Sequence, residues 1–191
     1  MQNTLKKFKS TLKNLFEQSP KKITFTNHKF QIKQQNYLLC KALVPSIPEI
    51  LAVERAVYQD KTPWDDDVFA KEIADDAQSL YLIVRHQDEM VAFIGCNFKY
   101  PKKAHITNLA VLPSYQQKGL GTYLLQTIFL IAKKNNCLTV NLEVASSNQK
   151  AQNLYEKLNF KQVKIKLNYY DNHETAFLYQ RTLTDIKDFK G

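Results

Sequence analysis

From Tyr37 onward the chain alternates between two hydrophobic periods. Runs such as "NYLLCKAL", "LYLIVRH" and "MVAFIGCNFKY" are continuously apolar or alternate with period two, as buried and half-buried strands do. Other stretches carry apolar residues at three- and four-residue spacing, the mark of an amphipathic helix. One spans 45–58, with Ile47, Ile50, Leu51 and Val53 to Val57 at its apolar positions. After the Pro63-Trp64 break, Asp65 or Asp66 is placed to cap a second helix carrying Phe69 and Ile73. "LYLIVRH" and "MVAFIGCNFKY" are joined by the turn-prone "QDE", and "HITNLAVL" is a further strand closed by Pro113. Residues 121–134 form a strong helix pattern, with Leu124, Leu125, Ile128, Phe129 and Ala132 on one stripe. "CLTVNLEV" follows as a buried-type strand, 148–158 as a helix, and "FKQVKIKL" and "TAFLYQRTL" as a closing strand pair. This alternation predicts an α/β (α+β) domain, a mixed central sheet of about six to seven strands flanked by helices.

Residues 1–34 have a different character and are set apart from a main domain over 35–191. They hold eight lysines and a single acid, Glu17. Leu5, Phe8, Leu12, Leu15 and Phe16 recur at helical spacing, which predicts a basic amphipathic helix ending near Ser19-Pro20. Its stripe packs on the chain's own domain, belongs to a loosely ordered arm, or docks on an anionic membrane surface or ribosomal RNA.

Composition narrows the class. With 27 basic and 18 acidic residues the net charge is +9, so the surface attracts polyanions, phosphorylated cofactors and nucleic acid among them. Cys40, Cys96 and Cys137 form no CxxC pair and read as small buried hydrophobes of a reducing compartment. His28, His86, His105 and His173 are scattered without ligand spacing, so no metal site is expected. No apolar run reaches membrane-spanning length and no signal-peptide core is present, which predicts a cytoplasmic protein.

The chemistry begins at "LPSYQQKGLG". The chain has only four glycines, and two of them, Gly119 and Gly121, sit at the mouth of the 121–134 helix. The first N–H groups of a helix lack partners and carry partial positive charge, so such a loop is an anion site, and glycine allows close approach or positive φ. Lys118 adds charge. Neither GxxxxGK[ST] nor GxGxxG fits; Q-x-x-G-x-G from Gln116 to Gly121 remains, open between an ordinary strand-to-helix turn and a phosphate cradle.

"TNLAVLPSYQQKGLG", then "LEVASSNQKAQNLYEKLNF" and "NYY", resembles the GNAT-superfamily N-acetyltransferases, and more narrowly the bacterial ribosomal-protein-alanine (RimI-type) N-acetyltransferases. The likeness runs from about Tyr37 to Leu183 and is densest from Thr107 to Tyr170. It implies the GNAT fold with acetyl-CoA as co-substrate. By match, the backbone of Leu109, Ala110 and Val111 takes the pantetheine arm, and the pyrophosphate is held by Gln117, Lys118, Gly119, Leu120, Gly121 and Thr122. Asn148 matches the asparagine that contacts the cofactor, Glu143 the general base and Tyr155 the general acid. The implied acceptor is the N-terminal alanine of small-subunit ribosomal protein S18, with ribosome or RNA contact through the basic arm. Another protein N-terminus, a lysine or a small amine is the alternative, and a non-catalytic CoA-binding or partner-binding module a third. The chain departs from the family at Ala145, where arginine is usual, at Asn159, where glycine is usual, and at Gln117 and Thr122, where basic residues are common.

These residue types suit acetyl transfer. The acceptor amine must be neutral, and an α-amine, with pKa about 7.7–8.0, yields its proton more readily than a lysine at about 10.4. A carboxylate buried at Glu143 is expected to have its pKa raised toward the working pH, whereas an outward-facing one would be only solvated. Tyr155 can donate to the departing sulfur while neutral, or simply pack in the core with Leu154 and Leu158. Asn148 also suits a helix cap. Trp64 falls either in a substrate-side loop or in the core, and a backbone N–H near the end of "NLAV" is the expected oxyanion donor.

Overall fold

The computed structural model describes residues 22–58 and 64–184; the amphipathic helix expected at the N-terminus lies outside them. One eight-stranded sheet organises the chain. Its strands are β1 (His28–Ile32), β2 (Gln35–Lys41), β3 (Ser79–His86), β4 (Glu89–Tyr100), β5 (Lys103–Val111), β6 (Thr139–Ala145), β7 (Lys161–Lys166) and β8 (Ala176–Thr182). They lie in the order β1-β2-β3-β4-β5-β6-β8-β7, and every neighbouring pair is antiparallel except β5–β6. The strand count exceeds the expected six to seven through β1, which lies inside the stretch set apart as an extension and pairs with β2.

Among the described residues, four α-helices cover the two faces: α1 (Ile47–Tyr58), α2 (Asp66–Ala74), α3 (Leu120–Lys134) and α4 (Gln149–Lys157). The apolar stripe of α3 (Leu124, Leu125, Ile128, Phe129, Ala132) packs with Tyr155 and Leu158 against Leu80, Leu82, Ile94, Val140 and Leu142. On the other face, Ile47, Ile50 and Val53 of α1 and Phe69 and Ile73 of α2 pack against Tyr81, Ile83, Phe93 and Ala110. The alternation along β3 to β6 thus feeds two separate cores, as a sheet covered on both sides requires. Asp65 caps α2, its carboxylate accepting from the Val68 N–H at 3.0 Å. Trp64 is half-buried in this second core, its ring tilted on Phe69 at 5.5 Å. Asn159 takes the left-handed conformation, φ 60°, that glycine would otherwise supply after α4.

Candidate active site

The parallel pair β5–β6 is the centre of the site. Lys103–Ile106 pairs with Thr139–Leu142, and there the ladder stops, although β5 continues to Val111 and β6 to Ala145. From Thr107 onward β5 bonds only to β4, and Glu143 and its successors bond only to β8. A gap therefore opens between two strands that share one sheet.

Backbone direction within the gap follows from one bond. The Leu112 N–H donates to the Val91 carbonyl at 2.9 Å. Because polar groups alternate along an antiparallel strand, Ala110 also faces β4, whereas Leu109 and Val111 turn theirs toward the gap. The Val111 carbonyl is taken by the Gln116 amide at 3.0 Å, which ties the following loop to the strand. The resemblance implied three cofactor-binding backbones here; this geometry leaves Leu109 and the Val111 N–H open and spends those of Ala110 on the sheet.

The loop then turns into α3. Gln117 and Gly119 both have positive φ, 59° and 102°, and Gly119 is the helix N-cap. At φ 102° a side chain is strained, so glycine is needed there for the backbone's sake. No side chain caps α3, so its first N–H groups, over Leu120, Gly121 and Thr122, remain available to an anion. The Lys118 ammonium sits 4.9 Å over the Tyr115 ring, beside the same turn. Asn148, which the resemblance placed at the cofactor, caps α4 by accepting from the Ala151 N–H at 3.1 Å.

Glu143 points to the α1 face of the sheet, opposite Leu142 and Val144, and only 11% of its side chain is exposed. Both carboxylate oxygens are engaged: Oε1 accepts from Lys166 Nζ at 2.6 Å, and Oε2 lies 3.1 Å from His105 Nε2. Burial pushes its pKa up, but the hydrogen bonds and charges of His105 and Lys166 outweigh that, and the group ends below its ordinary value. The sequence expectation of a raised Glu143 pKa is therefore corrected. Desolvation acts as foreseen, and the interactions with His105 and Lys166 reverse it.

Tyr155 belongs to the opposite core, its ring 5.6 Å from Phe160 and only 7% of the residue exposed. Its hydroxyl makes no hydrogen bond to a described residue. Burial first, then Tyr58 and Tyr170, push its pKa upward. Tyr170 is itself raised to about 12, by burial and then by Tyr169, Glu143 and Tyr58. Tyr170 is thus a common electrostatic neighbour of Glu143 and Tyr155, which approach the site from opposite faces of the sheet.

Four members of this constellation were not singled out from sequence. Tyr58 and Glu54 lie one turn apart on α1, His105 comes from β5 and Lys166 from β7. Glu54 is fully buried, accepting from the Asn108 amide at 3.3 Å through Oε1, while Oε2 has no partner among the described residues. Burial raises its pKa from 4.5 to about 7 despite the Asn108 hydrogen bond. Between those values the folded chain binds more protons than the unfolded one, so stability falls as pH rises. The expected fall from about pH 5 to about pH 8 is on the order of 3 kcal/mol. Glu54→Gln should remove that slope, as measured by urea unfolding at the two pH values.

Comparison with known proteins places this geometry. The acetyltransferase (GNAT) family model matches residues 44–160. The chain is 30% identical to an N-alpha-acetyltransferase of Sulfurisphaera tokodaii over 158 residues, 76% of this chain and 93% of that protein. It is 34% identical to the [ribosomal protein bS18]-alanine N-acetyltransferase of Escherichia coli over 119 residues, 61% of this chain and 78% of that one. The crystal structure of the Escherichia coli ribosomal-protein-S18-alanine N-acetyltransferase superposes with a TM-score of 0.69 at 26% identity, covering 80% of this chain and 97% of that chain.

Proposed function

We propose that this chain, which belongs to the acetyltransferase (GNAT) family, moves an acetyl group from acetyl-CoA to the N-terminal α-amine of a protein, with an S18-type ribosomal alanine as acceptor. The observation that carries the reading is the gap between β5 and β6, with α3's uncapped N-terminus at one end and Glu143 beside it. Unpaired strand edges accept an extended, amide-bearing chain as they would another strand. Pantetheine is such a chain, and Leu109 and Val111 offer it backbone partners. The helix N-terminus, Gln117 to Thr122, is suited to the pyrophosphate. The choice of acceptor leans on the relatives, whose names specify N-terminal amines and, for the Escherichia coli enzyme, the bS18 alanine.

In this reading the neutral amine attacks the thioester carbonyl, a C–N bond forms and the C–S bond breaks. The developing oxyanion is met by a backbone N–H of the Leu109–Val111 edge. The His105–Glu143 pair takes the amine proton: imidazole is the commonest general base, and the carboxylate stabilises the cation that results. The Tyr155 hydroxyl, without a hydrogen bond to any described residue, donates to the departing sulfur. Asn148 adds a polar group at the cofactor's edge while capping α4.

Mass spectrometry of the purified protein with acetyl-CoA and a panel of N-terminal hexapeptides tests the reading. Acetylation of peptides with the S18 alanine N-terminus, and none at lysine side chains, is expected. Equal modification of lysine or small amines would overturn the acceptor, and coenzyme A binding with no acceptor modified would point to a non-catalytic module.

A further inference from the structure

The gap does not begin at an arbitrary place. Gly95 pairs with Asn108 and Cys96 with Ile106, so Thr107 is an extra residue, a bulge in β5. The β5–β6 ladder ends one residue before it, at Ile106 and Leu142. A bulge consumes one register position and turns the strand, so this one sends β5 away from β6.

What keeps the bulge in place is a buried polar chain reaching across the sheet. The Tyr81 hydroxyl, from β3, lies 3.1 Å from Thr107 Oγ1 and donates to Asn108 Oδ1 at 3.1 Å. The Asn108 amide in turn donates to Glu54 on α1. To reach β5 the Tyr81 ring must pass over β4, and it does so at Gly95. A Cβ there would lie 2.4 Å from the ring and 2.7 Å from Thr107 Oγ1. Glycine at this position is required for space, since its φ is not in the left-handed region. Tyr81, Asn108 and Glu54 are all buried, where an unsatisfied polar group is costly. Releasing the bulge would strand these groups.

We infer that Tyr81, Asn108 and Glu54 are positioning residues that pin the Thr107 bulge over Gly95 and so hold β5 and β6 apart at the acyl-transfer site. The inference rests on the proposed function for its purpose but not for its geometry. Without the pin, the parallel ladder can continue past Ile106 and Leu142, and the open edge of Leu109 and Val111 becomes paired strand. The pin needs only an acceptor at residue 54, so a neutral amide there preserves it.

Hydrogen exchange of the ligand-free protein reads this directly. In Tyr81→Phe, which keeps the ring above Gly95, exchange at the Leu109 and Val111 amides should slow roughly tenfold or more, the scale of one hydrogen bond gained. Glu54→Leu should act in the same direction, while Glu54→Gln should retain the wild-type exchange pattern. Coenzyme A affinity, by titration calorimetry, should fall in the first two variants by roughly tenfold, as bonds to that edge are lost. Unchanged exchange at both amides in folded Tyr81→Phe and Glu54→Leu would overturn the inference. Faster exchange across β5 and β6 alike would also overturn it, because that is general loosening without closure. Because exchange is followed without cofactor or acceptor, it stays decisive even if no acetyl transfer is found; that latter failure would count against the proposed function alone.

Discussion

Replacing Tyr155 with phenylalanine is expected to lower kcat for peptide acetylation by between about ten- and about 150-fold, with little change in fold stability. The magnitude follows from what the hydroxyl can do. A thiol such as cysteine has a pKa near 8.5, and burial together with Tyr58 and Tyr170 raises the Tyr155 phenol beyond its ordinary value. Complete proton transfer from this phenol to the thiolate is therefore uphill. Its effective contribution is a hydrogen bond to sulfur as negative charge develops. Hydrogen bonds to charged groups contribute about 1.5–3 kcal/mol, which is the stated range in rate. The stability effect is small because the ring's contacts with Phe160 and Tyr179 survive and the hydroxyl has no partner among the described residues to strand. Steady-state kinetics with thermal melting check both halves. A kcat within twofold of wild type would remove Tyr155 from the mechanism and leave it a core aromatic.

The same residue shows how much of the site was legible in the sequence. Tyr155 has helical spacing with Leu154 and Leu158, so periodicity left its ring open between the core and the site; that its hydroxyl has no partner among the described residues depends on what the surrounding elements bring near it. Patterning worked best where the apolar signal is strong, as in the single stripe of α3 and the near-continuous apolar runs of β3 and β4, which are covered on both faces. β1 escaped because the segment HKFQI is mostly exposed at the sheet's edge and sits among lysines. β7 is as exposed, yet "KQVKIK" alternates long enough to be seen. The partners of Glu143 could not be found by spacing. His105 arrives through the parallel register that sets it beside Asn141, after a helical crossover, and Lys166 through β8, which lies between β6 and β7. Such contacts depend on strand order, which no local period encodes. Glu54 is a sharper case. An acid on the apolar stripe of a helix, spaced with Ile47 and Ile50, is a local inconsistency, and Asn108 is another in a strand of alternating burial. Two such misfits on elements that pack together are the available sequence signal for a buried polar pair.

The partners of Glu143 also set the last expectation. Glu143→Gln should lower kcat at least tenfold, because His105 loses the carboxylate that stabilises its cation while the shape of the site is kept. Lys166→Met makes the finer test. With Lys166 present, the Glu143 carboxyl stays ionised well into the acid range, its pKa held low against the pull of burial. Removing the ammonium 2.6 Å away leaves burial opposed only by His105, so the Glu143 pKa should rise. A group with a raised pKa is protonated sooner as pH falls, and the acid limb of kcat/KM should therefore move to higher pH. The displacement should be about one to three units, the range for an adjacent opposite charge. Folding follows the same sign. The low Glu143 pKa stabilises the wild-type fold above the unfolded carboxyl's pKa and that contribution is lost on acidification, so Lys166→Met should flatten the acid side of the stability profile. If the acid limb of Lys166→Met coincides with that of wild type while Glu143→Gln remains impaired, Glu143 acts through geometry alone and its ionisation does not govern the rate.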